Sequence, residues 1–185
     1  DVIKVETPDG AELARQLGAD AALNRQGMGA SFLAQNAEKR SIVLDLKTED
    51  GRETFLRLVA EADVLLENFR PGVMERLGLG HEALRRHRPG LVYCAISGFG
   101  QDGPLSKAPA YDQIIQGRSG VMSITGDRDS APLRVGYPVC DTFGGLTAAF
   151  AICAALVRRE RTGEGAFLDV SMLDSTLTSM GWIVS

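Results

Sequence analysis

The sequence has little of what usually marks a metal or redox centre. It holds three cysteines and two histidines in 185 residues. No CxxC is present. The cysteines are odd in number and widely spaced, so no disulfide framework is expected. Cys94 and Cys153 fall in apolar segments and read as buried, reduced thiols, which suits the cytoplasm. His81 and His87 have no cysteine or acidic cluster at ligand spacing, so no metal is expected, and both read as solvated residues of a polar helix. Basic runs are limited to the Arg85–Arg86 and Arg158–Arg159 pairs. With a net charge of −4, this excludes a general nucleic-acid binder. The longest apolar run, 143–157, falls short of the roughly 20 residues that span a bilayer and is rich in glycine and alanine. It reads as a buried helix, and no membrane partner is expected. No signal peptide is visible.

Familiar catalytic signatures are missing as well. There is no GxGxxG after the first strand, no Walker loop and no GxSxG elbow. Neither histidine stands near a serine or cysteine at a nucleophile–base spacing. A carboxylate nucleophile becomes the more interesting possibility.

What is present is an ordinary globular composition, 44% apolar and 24% charged, in a chain sized for one domain over 1–185. β-Branched runs predict strands at 1–6, 41–46, 63–68 and 91–97, and another just before Ser171. The 91–97 run is almost continuously apolar, as in a parallel strand covered on both faces. Between the strands lie helical patterns. A helix starts at Thr48, with Phe55, Leu58, Val59 and Ala62 at helical spacing, and shorter ones fall at 73–77 and 82–87. Further helices are expected at 111–119 and 142–162. Residues 11–18 read as a short helix, 20–29 as loop, 31–36 as one helical turn and 120–132 as a loop or hairpin. Strands alternating with helices predict an α/β fold with a mostly parallel sheet flanked by helices.

The polar candidates sit at strand ends: Asn68 with Arg70, the long loop after Ser97, Tyr111 with Asp112, Asp141, and above all Asp174. Ser171 precedes Asp174 by three residues, a spacing like that of a capping box, with Leu173, Leu177, Met180 and Val184 forming a helical stripe. Asp174 is thereby placed in the first turn of a helix that follows a strand. Helix N-termini favour a carboxylate's charged form, and ligands of open α/β sheets bind beyond the strands' carboxyl ends. The local pattern equally fits a plain helix-start residue.

Several segments together resemble the class III CoA-transferases, the family of formyl-CoA and crotonobetainyl-CoA transferases, with α-methylacyl-CoA racemase as a relative. They are Asp1-Val-Ile-Lys-Val-Glu6, Asn36-Ala-Glu-Lys-Arg-Ser-Ile-Val-Leu-Asp-Leu-Lys47 and Asp63-Val-Leu-Leu-Glu-Asn-Phe-Arg-Pro-Gly72. Ser97-Gly-Phe-Gly-Gln-Asp-Gly-Pro104, Pro109-Ala-Tyr-Asp112, and Arg161-Thr-Gly-Glu-Gly165 through Ser171-Met-Leu-Asp-Ser175 follow. Order and spacing over nearly the whole chain carry the likeness. The resemblance implies a Rossmann-like, CoA-binding large domain and an interlocked homodimer. It implies a first strand ahead of Asp1 and a shielding glycine-rich loop beyond Ser185, so that the chain is a piece of a longer protein.

The resemblance further implies that Asp174 is the nucleophile in CoA transfer from an acyl-CoA donor to a carboxylate acceptor, through an aspartyl anhydride and an aspartyl-CoA thioester. It places Asn68, Phe69 and Arg70 against the nucleotide of coenzyme A and Leu44 to Lys47 on the adenine side, with Lys47 a phosphate candidate. It makes Arg76 a phosphate ligand and sets Tyr111 near the pantetheine and thioester. The racemase relatives carry a catalytic histidine at the position of Tyr111, with an aspartate partner at Asp141. A phenol, with an ordinary pKa of about 10, is a poor base near neutrality, so the resemblance favours transfer over racemisation. A non-catalytic CoA-binding or dimerisation module is the remaining alternative.

Overall fold

In the computed structural model, residues 1–10 and 12–184 are described. The chain is mixed α/β, with parallel sheets flanked by helices. It divides into two compact units, Asp1–Leu58 and Val59–Ser185.

In the first unit, β1 (Ile3–Glu6) and β2 (Arg40–Val43) run parallel, in register from Ile3↔Arg40 to Glu6↔Val43. A parallel pair needs a crossover. It is built from a 3₁₀ turn (Leu13–Gln16), α1 (Ala21–Arg25) and α2 (Ala30–Asn36). α1 lies where the composition suggested loop. Its cause is the Asp20 N-cap, whose Oδ1 accepts the N–H groups of Ala22 (2.8 Å) and Leu23 (3.1 Å). Arg15 ties the crossover to the strands. Its guanidinium stacks 3.8 Å from the Phe32 ring centroid and donates twice to Glu6 at 2.7 Å. Those bonds hold the Glu6 carboxyl down at about 2. β2 ends at Val43, before the sequence pattern does, and 44–48 form a turn. In that turn Lys47 N donates to Asp45 Oδ1 (2.9 Å) and Thr48 Oγ1 to Asp45 O (2.8 Å). α3 (Glu49–Glu61) follows and carries the chain past the unit boundary.

The second unit is organised on a three-stranded parallel sheet, β3 (Val64–Glu67), β4 (Val92–Ser97) and β5 (Ala166–Ser171), in that spatial order. β4 is central and almost wholly buried, as its apolar run predicts. Its pairing with β5 ends on Ser97↔Ser171. α4 (Val73–Arg76) and α5 (His81–His87) connect β3 to β4. α6 (Asp112–Ser119), a 3₁₀ turn (Val121–Ile124) and α7 (Val139–Thr162) connect β4 to β5. The core has two parts. Ala148 of α7 packs with Cys94 and Val170 on the sheet. Ile115, Val139, Cys140 and Met172 join α6 and α7 to α8 (Met172–Ser179). At the amino ends of the strands, Arg159 pairs with Asp63 at 3.0 Å and donates to Gly90 O at 3.3 Å, fixing the far end of α7.

Five sequence expectations are corrected here. α7 is not a buried helix: Leu146, Phe150 and Val157 are exposed, and with them Cys153. The buried thiols are Cys94 and Cys140. Gly and Ala dilute the apolar pattern on every side of α7, so no stripe marks its packed face. Its 24 residues also make it long and apolar enough to cross a bilayer by length and composition, which the count of the run alone denied it. His81 is not solvated. It stacks on Phe167 (centroids 4.8 Å apart) and meets Tyr93 edge-on (5.8 Å), contacts between elements that no local pattern reveals. The helical stripe after Ser171 is interrupted near Met180, and a separate turn, α9 (Gly181–Val184), follows.

Candidate functional site

Because β3, β4 and β5 are parallel, their carboxyl ends share one edge of the sheet. That edge gathers most of the polar groups singled out above.

At the end of β5 the chain turns directly into α8. Ser171 is the N-cap, and its Oγ accepts the N–H of Asp174 at 3.1 Å. The N–H of Leu173 is taken by the Gly98 carbonyl at 3.0 Å. Two of the N–H groups that a helix start leaves unpaired are thus satisfied by protein. The Asp174 side chain accepts neither of them. It is exposed, and among the described residues its carboxylate accepts no hydrogen bond and meets no cation. A groove of about 370 Å³ runs beside it, lined by Thr147 and Ala151 of α7, the 167–171 strand, Ser175 and Thr178. An exposed carboxylate at a strand–helix corner is open to an incoming electrophile.

The loop after β4 is stitched to this corner. Besides the Gly98–Leu173 bond, Gln101 N donates to Asp169 Oδ2 at 2.9 Å. Gly98 has to be glycine, since a Cβ there would lie 2.1 Å from Ala110 Cβ. Gly100 adopts φ +84°, with the Asp169 carboxylate oxygens 3.5 and 3.8 Å from where its Cβ would be.

Beyond β3, Asn68, Phe69 and Arg70 form an exposed turn, and Arg70 O accepts Val73 N at 3.1 Å as α4 begins. Gly72, at φ +84°, precedes α4. A Cβ on it would come within 3.2 Å of an Arg76 guanidinium nitrogen. Arg76 therefore reaches back to the turn that carries Arg70. Neither guanidinium is ion-paired among the described residues. Asn68, Phe69, Arg70 and Arg76 are thus brought together at one strand end. Leu44 and Lys47 belong to the first unit, in the turn after β2, Leu44 half-buried and Lys47 exposed.

Glu67, the last residue of β3, was not singled out in the sequence. Its Oε2 accepts the N–H of Phe69 at 2.7 Å, shaping the 68–70 turn, and Oε1 lies 3.5 Å from the Tyr93 hydroxyl. Burial pushes the Glu67 carboxyl up to about 7, and the charge of Glu75 adds to this. The ordinary value is 4.5. The stabilisation from its protonated form is therefore complete below about pH 4.5 and lost as pH rises through about 7. Glu67→Gln keeps the acceptor without the charge. In denaturant titrations from pH 5 to 8, the wild type should lose about 1–2 kcal/mol more than Glu67→Gln, solvent exposure being allowed for. Parallel curves for the two proteins would contradict this.

Tyr111 occupies the N-cap position of α6, with its ring 75% exposed. The residue after it is the more constrained one. Asp112 is buried, and its Oδ1 accepts the N–H groups of Cys140 (2.8 Å) and Asp141 (3.4 Å) at the start of α7. Its Oδ2 accepts from Gln116 Nε2 at 2.6 Å, and Gln116 Oε1 accepts Val135 N at 2.8 Å. Pro138 gives α7 no side-chain cap, and Asp112 supplies one from α6. Partial burial, then the Asp112 charge, hold the Asp141 carboxyl above the usual aspartate range. Among the described residues there is no group of three or more metal-ligating side chains.

These groups define an α/β protein whose three-stranded sheet carries, beyond its carboxyl ends, a carboxylate and two guanidiniums that are unpaired among the described residues. The profile of CoA-transferase family III matches residues 1–185, and the chain belongs to that family. It is 49% identical over 176 residues to an acetyl-CoA:oxalate CoA-transferase of Acetobacter aceti, covering 95% of this chain and 44% of that protein. A succinate–glutarate CoA-transferase of Agrobacterium fabrum is 45% identical over 177 residues, covering 94% and 44%. Among solved structures, a CAIB/BAIF family protein from Brucella suis superposes with a TM-score of 0.90 at 41% identity, over 100% of this chain and 50% of that one. A hypothetical protein from Mycobacterium tuberculosis gives 0.88 at 35% identity, over 100% and 50%. The chain spans less than half the length of these curated relatives.

Proposed function

We propose that the protein to which this chain belongs is an acyl-CoA:carboxylate CoA-transferase with Asp174 as its nucleophile. The observation that carries the reading is the exposed Asp174 carboxylate, unpartnered among the described residues, on a backbone that Ser171 caps at the end of β5 beside an open groove. Relatives named as CoA-transferases support the reaction class.

An Asp174 oxygen attacks the thioester carbonyl of the donor. The C–S bond breaks, CoA leaves as thiolate, and a mixed anhydride joins Asp174 to the acyl group. The thiolate returns to the aspartyl carbonyl, giving an aspartyl-CoA thioester and releasing the donor's acid. The acceptor carboxylate attacks that thioester, forming a second anhydride and thiolate. The thiolate then attacks the acceptor's carbonyl, yielding the new acyl-CoA and free Asp174. No proton need be transferred, which fits a site where, among the described residues, the Asp174 carboxylate makes no hydrogen bond or ion pair. Holding CoA in place throughout makes each return of the thiolate effectively intramolecular.

Arg70 and Arg76 bind phosphates of the CoA nucleotide, for which forked guanidiniums are suited. Phe69 offers an exposed ring to the adenine, with Asn68 beside it. The resemblance gives Leu44 and Lys47 a role on the adenine side of coenzyme A, and Tyr111 one at the pantetheine end. The active protein is a cytoplasmic homodimer in this reading. Arg70→Ala and Arg76→Ala should each raise the KM for acyl-CoA about tenfold while kcat stays within twofold. Steady-state kinetics check this, and a loss confined to kcat would exclude the phosphate role.

The reaction itself is tested by incubating full-length protein with a panel of acyl-CoAs and isotopically labelled carboxylates. Label appearing in acyl-CoA supports transfer. Exchange of the α-proton with solvent and no label transfer would favour racemisation, and CoA binding with neither would leave a binding module.

A further inference from the structure

We propose that Asp169 is a positioning residue for Asp174, acting through the 98–101 loop. This rests on the transferase reading above. Asp169 and Ser171 are two residues apart on β5 and so face the same side of the strand. Ser171 caps the helix that carries Asp174, and Asp169 holds the loop that completes that cap. The connection runs through hydrogen bonds at each step. Asp169 Oδ2 accepts Gln101 N at 2.9 Å, and three residues back the Gly98 carbonyl accepts Leu173 N at 3.0 Å, one residue before Asp174.

Phe99 packs against the core formed by Ile115, Val139, Cys140 and Met172, but among the described residues no polar side chain of the loop fixes the 98–101 backbone. Ser97 Oγ and Gln101 Nε2 are buried and find no partner among the described residues. Ser106 Oγ reaches only Gly103 O, within the loop. Among the described residues, Asp169 is the one side chain from outside that bonds to the 98–101 backbone. Gly100, at φ +84°, lets the loop approach the carboxylate closely. Asp169 and Asp174 also line the same groove. Loss of the Asp169 acceptor would free Gln101, let Gly98 drift from Leu173 and loosen the first turn of α8. Misplacement of a reacting group by about 1 Å can cost 10²-fold in rate.

The test is steady-state transfer by the full-length protein. Asp169→Ala should lower kcat 10- to 100-fold with KM for the acyl-CoA unchanged within twofold. Asp169→Asn keeps an acceptor oxygen and should recover kcat to within threefold of wild type, a rescue that a bulk effect on folding would not give. Gly100→Ala strains the loop from its other side and should show the same kcat-only loss, so the proposal stays testable even where Asp169→Ala does not fold. Wild-type kcat in Asp169→Ala, or equal loss in Ala and Asn, would overturn the positioning role while leaving the transferase reading intact. A wild-type protein that transfers no CoA from any donor and forms no adduct at Asp174 would overturn both.

Discussion

Asp174→Ala should reduce CoA transfer by on the order of 10³-fold or more, because no other group in the proposed sequence can form the anhydride. The same change should leave folding nearly untouched. The side chain is exposed and makes no hydrogen bond or ion pair among the described residues, and the helix cap uses the backbone N–H of residue 174, which alanine retains. Surface substitutions of this kind usually stay within about 0.5 kcal/mol. The variant should therefore still bind acyl-CoA with wild-type affinity, since the Arg70–Arg76 end of the site is intact. Kinetics and calorimetric titration on one preparation check both halves. Residual transfer within tenfold of wild type would remove Asp174 from the covalent role.

Gly165→Ala should produce a large loss of stability. Gly165 leads into β5, donating to Pro89 O at 3.0 Å. A Cβ there would lie 2.1 Å from Leu91 O and 2.8 Å from Leu91 C and N. Those are backbone atoms at the start of β4, so no side chain can rotate aside. Accommodation requires the two strands to part where Ala166 N bonds Leu91 O at 3.2 Å. Overpacking of that kind costs about 3 kcal/mol. Gly145→Ala is the contrast, because a Cβ there meets nothing within 4 Å and alanine is the better helix former. Thermal unfolding of the full-length variants should lower the midpoint for Gly165→Ala and leave or raise it for Gly145→Ala. Equal midpoints would contradict the packing argument.

Most of the sheet edge was legible because its signals are local. The apolar run at 91–97 needs no partner to read as a buried strand, and the Ser171–Asp174 spacing contains its own hydrogen bond. The 68–70 turn follows from a strand that meets Pro71 and Gly72. α1 was missed because a single Asp20 cap outweighs a weakly apolar segment, and caps of one residue are easily read as turn chemistry. The aromatic cluster of His81, Tyr93 and Phe167 joins three elements, and nothing near any one of them foretells it. Asp169 and Glu67 share that limit, and so does the capping role of Asp112, a residue already marked by its place at a strand end. Each carboxylate bonds to backbone outside its own element, Asp169 and Asp112 in another segment and Glu67 two residues on in the 68–70 turn. A carboxylate two residues before a strand-end cap was the signal available for Asp169.

The account stands or falls on whether Asp174 becomes covalently acylated. Full-length protein is incubated with a panel of acyl-CoAs, quenched with hydroxylamine or borohydride, and digested for peptide mass spectrometry. The expected result is a hydroxamate or reduced side chain at Asp174, with an unmodified peptide from Asp174→Ala treated alike. A protein that transfers CoA under the same conditions while the Asp174 peptide stays unmodified would contradict the account.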